Sequence, residues 1–220
     1  MINQEFWSPI LLSAQVTTVA SILAFSVAII IAAIMKGRSF TGKVLVETIW
    51  MLPLVLPPTV VGFGLLLLLG RNSWLGQAIE WLLGQPVVFT WWAAVIAATV
   101  VAFPLIYQTL KTGFESVDSD LEDVARSMGA GEVQLLMYVT IPLSWRSLAV
   151  GYLLGFARGL GEFGATLMFA GNIPGKTQTI PTAIYLATET GHVTLAAYWV
   201  GSIVMFSFLL LCVVHRIRIY

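Results

Sequence analysis

Arg158 and Glu162 stand one helical turn apart in a run, Leu148 to Ala170, that is otherwise almost wholly apolar or small. Charges at membrane depth are rare and face a bundle interior or a water-filled cavity. Their i,i+4 spacing allows mutual neutralisation. The chemistry open to such a pair is electrostatic: it can line or brace the path of an ion. Thr59 and Thr166 add hydroxyls in two apolar runs, and Pro57 and Pro58 free backbone carbonyls beside Thr59. Weak, multiple contacts of this kind favour conduction over capture. Bond-making chemistry is poorly served, because it needs a nucleophile with a base, or a metal cluster. His192 and His215 fall near opposite membrane faces, and no carboxylate pair flanks a buried serine. With the single Cys212 they cannot form an ordinary His/Cys metal cage. No catalytic residue, metal or cofactor is expected, and Cys212, in a Leu/Val run, reads as a small packing residue.

The elements that must hold these side chains are membrane helices. Of 220 residues, 58% are apolar and 10% charged, against roughly one-quarter charged in soluble domains, and the mean hydropathy is +0.90. Net charge is zero, so nothing suggests a nucleic-acid partner; the lipid bilayer is the expected surrounding. The amino-terminal stretch has no basic residue before its first apolar run and no cleavage site, so a removable signal peptide is not expected. At about 20 residues per crossing, five spans are predicted: Ile10 to Met35, Val44 to Leu69, Phe89 to Gln108, Leu148 to Ala170 and Leu195 to Val214. The expected fold is an all-α polytopic bundle forming a single domain over 1–220.

Basic residues favour cytoplasmic loops. Lys36, Arg38 and Lys43, then Lys111, Arg126 and Arg146, then Arg216 and Arg218 fall on one side if the N-terminus is outside and the C-terminus cytoplasmic. Arg71 and Lys176 remain opposite. Phe6, Trp7, Trp74, Trp81, Trp91 and Trp92 gather as an aromatic belt at that outer interface, and Arg71 to Gly84 reads as a loop with a short surface helix.

Two spans are unusual. Pro53, Pro57 and Pro58 interrupt the second, and the freed carbonyls must be covered by protein or face water. With Thr59, Gly62 and Gly64 behind them, either a packed kink or the wall of a pathway fits. The fourth carries Gly151, Gly155 and Gly159 as a stripe for close helix approach, with Ala157, Gly161 and Ala165 as a neighbouring stripe. Beyond it, Pro174-Gly175 signals a turn and Thr179 before Ile180-Pro181 a helix start, as in an outer re-entrant hairpin or gate.

Residues 111–146 form the long polar insertion. Ser119 and Glu122 match a capping box, Leu121, Val124, Ala125 and Met128 recur at helical spacing, and Glu122 and Arg126 are placed for an ion pair. Gly129 and Gly131, flanking Ala130, allow a bend. A second helix, Glu132 to Thr140, is predicted to stop before Ile141-Pro142. The product is a helix, a bend and a helix, which either caps its own bundle or serves as a docking knob.

This stretch resembles the coupling loop of bacterial ABC importer permeases, whose pattern is Glu-Ala-Ala, three residues, Gly, nine residues, Ile, one residue and Leu-Pro. Glu122, Ala125, Gly129 and Ile141-Pro142 fall in the corresponding region, with Asp123 and Val124 where the family has alanines. Pro53 to Gly70 and Ala157 to Tyr185 resemble the molybdate permease subunits, and the similarity runs from about residue 8 onward. The resemblance implies a type I importer permease of the bacterial cell membrane. It further implies a homodimer, a cytoplasmic ABC ATPase dimer and an extracytoplasmic molybdate-binding protein. Leu121, Glu122, Ala125, Arg126, Gly129, Ala130 and Gly131 would then meet the ATPase. Pro57, Pro58, Thr59, Arg158, Glu162 and Thr166 are the expected pathway residues. Tungstate is not separated from molybdate, and sulfate or thiosulfate is the alternative. An ion-driven carrier would show a repeated pair of broken helices, and the second span has no convincing copy.

Overall fold

The computed structural model describes residues 2–219, with side chains at 5–82 and 84–217, so that the Arg218 side chain lies outside the described residues. Helices α1 (Ile2–Met35), α5 (Trp91–Glu115) and α12 (Val193–Ile219) are long and apolar enough to cross a membrane unaided. Among the described residues there is no strand, as the all-α reading expected.

Helix α5 is the centre. It meets α1 through small side chains on both helices: Ala20, Ala24, Ala28 and Ala32 recur every fourth residue and are fully buried, as are Ala93, Ala94 and Ala97. Lipid tails are as apolar as leucine, so membrane helices associate by close packing, which small residues permit. On its other side α5 receives α9 (Trp145–Leu160), whose glycine stripe does the predicted work. A Cβ at Gly151 would stand 2.6 Å from Leu110 Cδ1, and one at Gly155 would stand 2.2 Å from Ile106 Cγ1.

The two unusual spans are broken. Helix α2 (Lys43–Val55) turns by 117° into α3 (Pro58–Leu69). Leu56 between them is extended, at φ −67° and ψ 144°, because a residue before proline is pushed out of the helical region. Pro58 then occupies the first turn of α3, where no amide donor is needed. The predicted continuous second span is therefore an elbow. The fourth prediction also changes: α9 ends at Leu160, and the short α10 (Gly164–Ala170) comes after a non-helical Gly161-Glu162-Phe163. Ala157, Gly161 and Ala165 thus do not form one stripe. Gly62 of α3 lies against α10, with its missing Cβ 2.7 Å from Ala165 Cα.

Helix α4 (Trp74–Leu83) is the expected short helix of the 71–84 loop, capped where Ser73 Oγ accepts from the Gly76 amide at 2.9 Å, with Trp74 and Trp81 exposed. After α10, Thr179 is the N-cap of α11 (Ile180–Glu189), and the Ile180 amide donates to Ser13 Oγ of α1 at 2.7 Å. Trp199 of α12 stacks on Phe6 and donates to its carbonyl at 3.0 Å. Cys212 does not pack inside; it is exposed on α12, where hydrocarbon rather than water is the expected surrounding.

The remaining short elements are α6 (Ser119–Ser127), α7 (Glu132–Leu135), a π-helix (Leu136–Thr140) and α8 (Ile141–Leu143). They sit at one end of the bundle, with the end of α1 and the start of α9. The C-terminal part of α12 joins them, since Val214 clusters with Val150. Arg71 and Lys176 line a single cleft of about 390 Å³ beside Phe89 and Thr90 at the opposite end.

The glycine contacts give a direct test. Gly155→Ala should destabilise the detergent-solubilised protein by about 1–3 kcal/mol, as overpacking does, although alanine is the better helix former. Gly64→Ala, where the added methyl meets nothing within 4 Å, should be neutral or mildly stabilising. Thermal unfolding of the two variants side by side checks both expectations.

Candidate functional site

Two polar constructions stand out. The first is the α6–α8 insertion. Asp118, one residue before the predicted cap, holds the start of α6 by accepting from the Asp120 amide at 3.0 Å. The Ser119/Glu122 capping box does not form, because Glu122 turns inward. It is 6% exposed and receives the Lys36 ammonium and, at 2.9 Å, the Thr140 hydroxyl. An ammonium and a hydroxyl are stronger partners for a buried carboxylate than one backbone amide at a helix start.

The predicted Glu122–Arg126 pair is absent for the same reason. Arg126 instead bridges Asp123 at 2.9 Å and Glu132 at 3.0 Å, joining α6 to α7 across the bend. The hydrogen bond from Arg126 holds the Glu132 carboxyl below its usual range, and hydrogen bonds to Glu132 and then Asp123 hold the guanidinium above its own. Both groups are solvated, so this link organises the turn more than it stabilises the chain.

Gly129 carries the bend at φ +90°. Its amide donates to Arg126 O at 2.9 Å and the Ala130 amide to Ala125 O at 3.1 Å, the paired bonds of a Schellman turn. Gly131 has φ −75° and starts α7, its amide donating to Gln134 Oε1 at 3.0 Å, so only Gly129 requires a glycine conformation. The second helix does not stop before Ile141-Pro142. A π turn, in which the Ile141 amide donates to Leu136 O, carries the winding to Leu143. That places Pro142, which has no amide hydrogen, inside the last turn.

The apolar side of α6 is largely open: Leu121, Val124 and Met128 are 50%, 58% and 84% exposed, and Val133 and Met137 are also exposed nearby. Contiguous apolar groups among charged ones at an aqueous surface mark interaction sites. A loop that merely capped its own bundle would turn this face inward.

The second construction joins the broken helices. Glu162 is 2% exposed. Its Oε2 accepts from Arg158 at 3.0 Å and its Oε1 from the Ala165 amide at 2.8 Å, so one carboxylate neutralises the arginine and caps α10. A Cβ at Gly164 would lie 3.0 Å from Pro58 and 3.2 Å from the Thr59 amide, which brings the two breaks together. Pro57, Pro58 and Thr59 are exposed, and the Arg158 side chain keeps 29% of its surface. Thr166 is 1% exposed, in the core rather than on an open wall.

One ionic cluster escaped the sequence reading. Glu47 of α2 pairs with Lys111 of α5 at 2.7 Å and accepts from the Tyr107 hydroxyl at 3.1 Å. The signal was present: an acidic residue one turn inside an apolar helix calls for a partner, as Glu162 did.

Residues 14–217 match the family of binding-protein-dependent transport system inner membrane components. The chain belongs to this family. It is 54% identical over 212 residues to a putative molybdenum transport system permease protein, YvgM, of Bacillus subtilis (strain 168), covering 96% of this chain and 93% of that one. It is 41% identical over 184 residues to the molybdenum transport system permease protein ModB of Escherichia coli (strain K12), covering 84% and 80%. Its fold matches a chain in the crystal structure of a bacterial ABC transporter involved in the import of alginate. There the TM-score is 0.75 at 16% identity, over 98% of this chain and 79% of that chain. The chain therefore has the type I ABC importer permease fold and a multi-pass place in the inner membrane, and it is a transport permease rather than an enzyme.

Within this inner membrane component the geometry corrects one assignment. Counting back from Gly129, Asp123-Val124-Ala125 occupies the Glu-Ala-Ala position of the permease pattern, and the Asp123 carboxylate is exposed whereas that of Glu122 is buried. Leu121, Asp123, Ala125 and Arg126 belong to the surface turn; Glu122 belongs to its foundation.

Arg158→Ala should leave Glu162 as an uncompensated buried charge and cost about 3–5 kcal/mol, whereas Arg158→Met with Glu162→Gln should recover most of the loss, since glutamine still accepts from Ala165. The fraction of monodisperse protein surviving a heating series reads this out. A double variant no better than Arg158→Ala would refute the bracing role.

Proposed function

We propose that this permease imports molybdate as a homodimer, driven by a separate cytoplasmic ABC ATPase dimer and supplied by an extracytoplasmic molybdate-binding protein. Residues 1–220 act as one permease domain, with the N-terminus outside and the C-terminus cytoplasmic. The single observation that carries the coupling part is the uncovered apolar face of Leu121, Val124 and Met128, held out by the Gly129 turn. A groove on a partner would bury that face, and the Asp123–Arg126–Glu132 cluster around it would set the orientation. Ala130 and Gly131 complete the turn. The substrate assignment is supported by the names of the two relatives above; tungstate, of the same charge and shape, would share the route.

The pathway is proposed to run past the elbow at Pro57, Pro58 and Thr59 and past Arg158. Arg158 cannot hold a dianion tightly while Glu162 neutralises it, which suits passage rather than capture. Thr166 supports the wall from behind. Selection of the anion therefore falls to the binding protein. Closure of the ATPase dimer would draw two α6 elements together and switch the bundle between two rigid-body states.

Deleting 121–128, or introducing Gly129→Pro, should abolish uptake in proteoliposomes containing the permease, its ATPase and its binding protein, while membrane insertion persists. Uptake at the wild-type rate would mean the loop only caps its own bundle. Calorimetry on the cognate binding protein should give molybdate a large preference over sulfate, and the reverse order would replace the substrate.

A further inference from the structure

Helix α6 is attached to the bundle in an unusual way. Glu122 is its only buried residue among those described. Between α6, α7 and the end of α1 lies an open cleft of about 480 Å³, lined among others by Ala33, Lys36, Glu115, Glu122 and Thr140. The Arg126–Glu132 link joins α6 to α7 at the exposed surface, so the buried link from α6 to the bundle is one carboxylate held from two directions.

Lys36 comes directly after α1, and its amide still donates to Ala32 O at 3.0 Å, so it continues the winding of that helix. Thr140 is 1% exposed at the end of the π-helix, and its carbonyl accepts from Ser144 Oγ at 2.6 Å on the way into α9. Glu122 thus joins α6 to the end of α1 and to the π-helical segment that leads, through a 77° bend at Ser144, into α9. Water screens a partly buried pair less than an exposed one, and this pair is directional, so it moves its elements together or breaks.

We propose that the Lys36–Glu122–Thr140 triad is the joint through which displacement of α6 reaches α1 and α9, with Glu122 a positioning residue for coupling and not part of the face that meets the ATPase. This rests on the reading of α6 as the docking element. Removing the joint leaves docking intact and lets α6 move without carrying the spans.

The test uses proteoliposomes with the full transporter and its binding protein, and reads ions imported per ATP hydrolysed, a ratio from which the amount of folded protein cancels. Glu122→Gln should keep the ATPase bound and lower the ratio by about fivefold or more, the lower end of ordinary coupling energies. The exchange Lys36→Glu with Glu122→Lys should recover at least part of it, and Thr140→Val should give a smaller fall. These last two carry the test if Glu122→Gln fails to assemble. Glu47→Gln removes an ion pair that does not touch α6, and its ratio should match wild type. An unchanged ratio in Glu122→Gln, no recovery on exchange, or an equal fall in Glu47→Gln would overturn the joint. Leu121→Asp with Met128→Asp should release the ATPase; full retention would overturn the docking reading itself, and the joint with it.

Discussion

Close approach of α5 to its two neighbours is the condition on which the remaining structure rests. A bundle in hydrocarbon gains little from sequestering apolar groups, so it must gain from contact. Alanines at every fourth position of α1 bring one helix in, and absent side chains at Gly151 and Gly155 bring the other. Because the three axes are fixed by backbone proximity rather than by large interlocking residues, polar groups at their ends are held at defined separations. Lys36 can reach Glu122, and Lys111 can reach Glu47, because the helices that carry them do not drift.

The same solvent makes interrupted helices costly, since no water is at hand for the exposed backbone groups. Each break has its own local remedy. At Leu56 the chain needs only prolines, one of which lacks the donor that the first turn of α3 would leave unused. At Gly161 a side chain does the work: Glu162 supplies the acceptor for Ala165 and is itself neutralised by Arg158. An ionic pair that looks functional by its rarity is thereby structural as well, and the two breaks meet where Gly164 lies against Pro58 and Thr59.

The all-α class, the plain spans, the glycine stripe and the Gly129 bend were legible in the sequence because each depends on local composition or on a single residue's conformational range. The elbow was signalled by its prolines, but its angle depends on how α3 seats on α10. Partnerships across distance could not be read. Glu122 had two plausible neighbours within its own helix and took neither, because Lys36 and Thr140 arrive only once α1 and the π-helix are in place. Asp118 displaced Ser119 as the cap by one position, a choice that spacing alone leaves open. Thr166 was expected on the pathway in a span treated as continuous, and it lies in the core beyond the break after Leu160.

The π turn at Leu136–Thr140 fits one more residue into a loop of winding than an α turn does, which rotates the chain before it by about 100° relative to the helix after it. The azimuth at which Val133 and Met137 emerge beside the tip of α6 is therefore a matter of residue count. Substitutions within that segment can be absorbed by repacking, but gaining or losing a single position would swing the whole tip around the bundle.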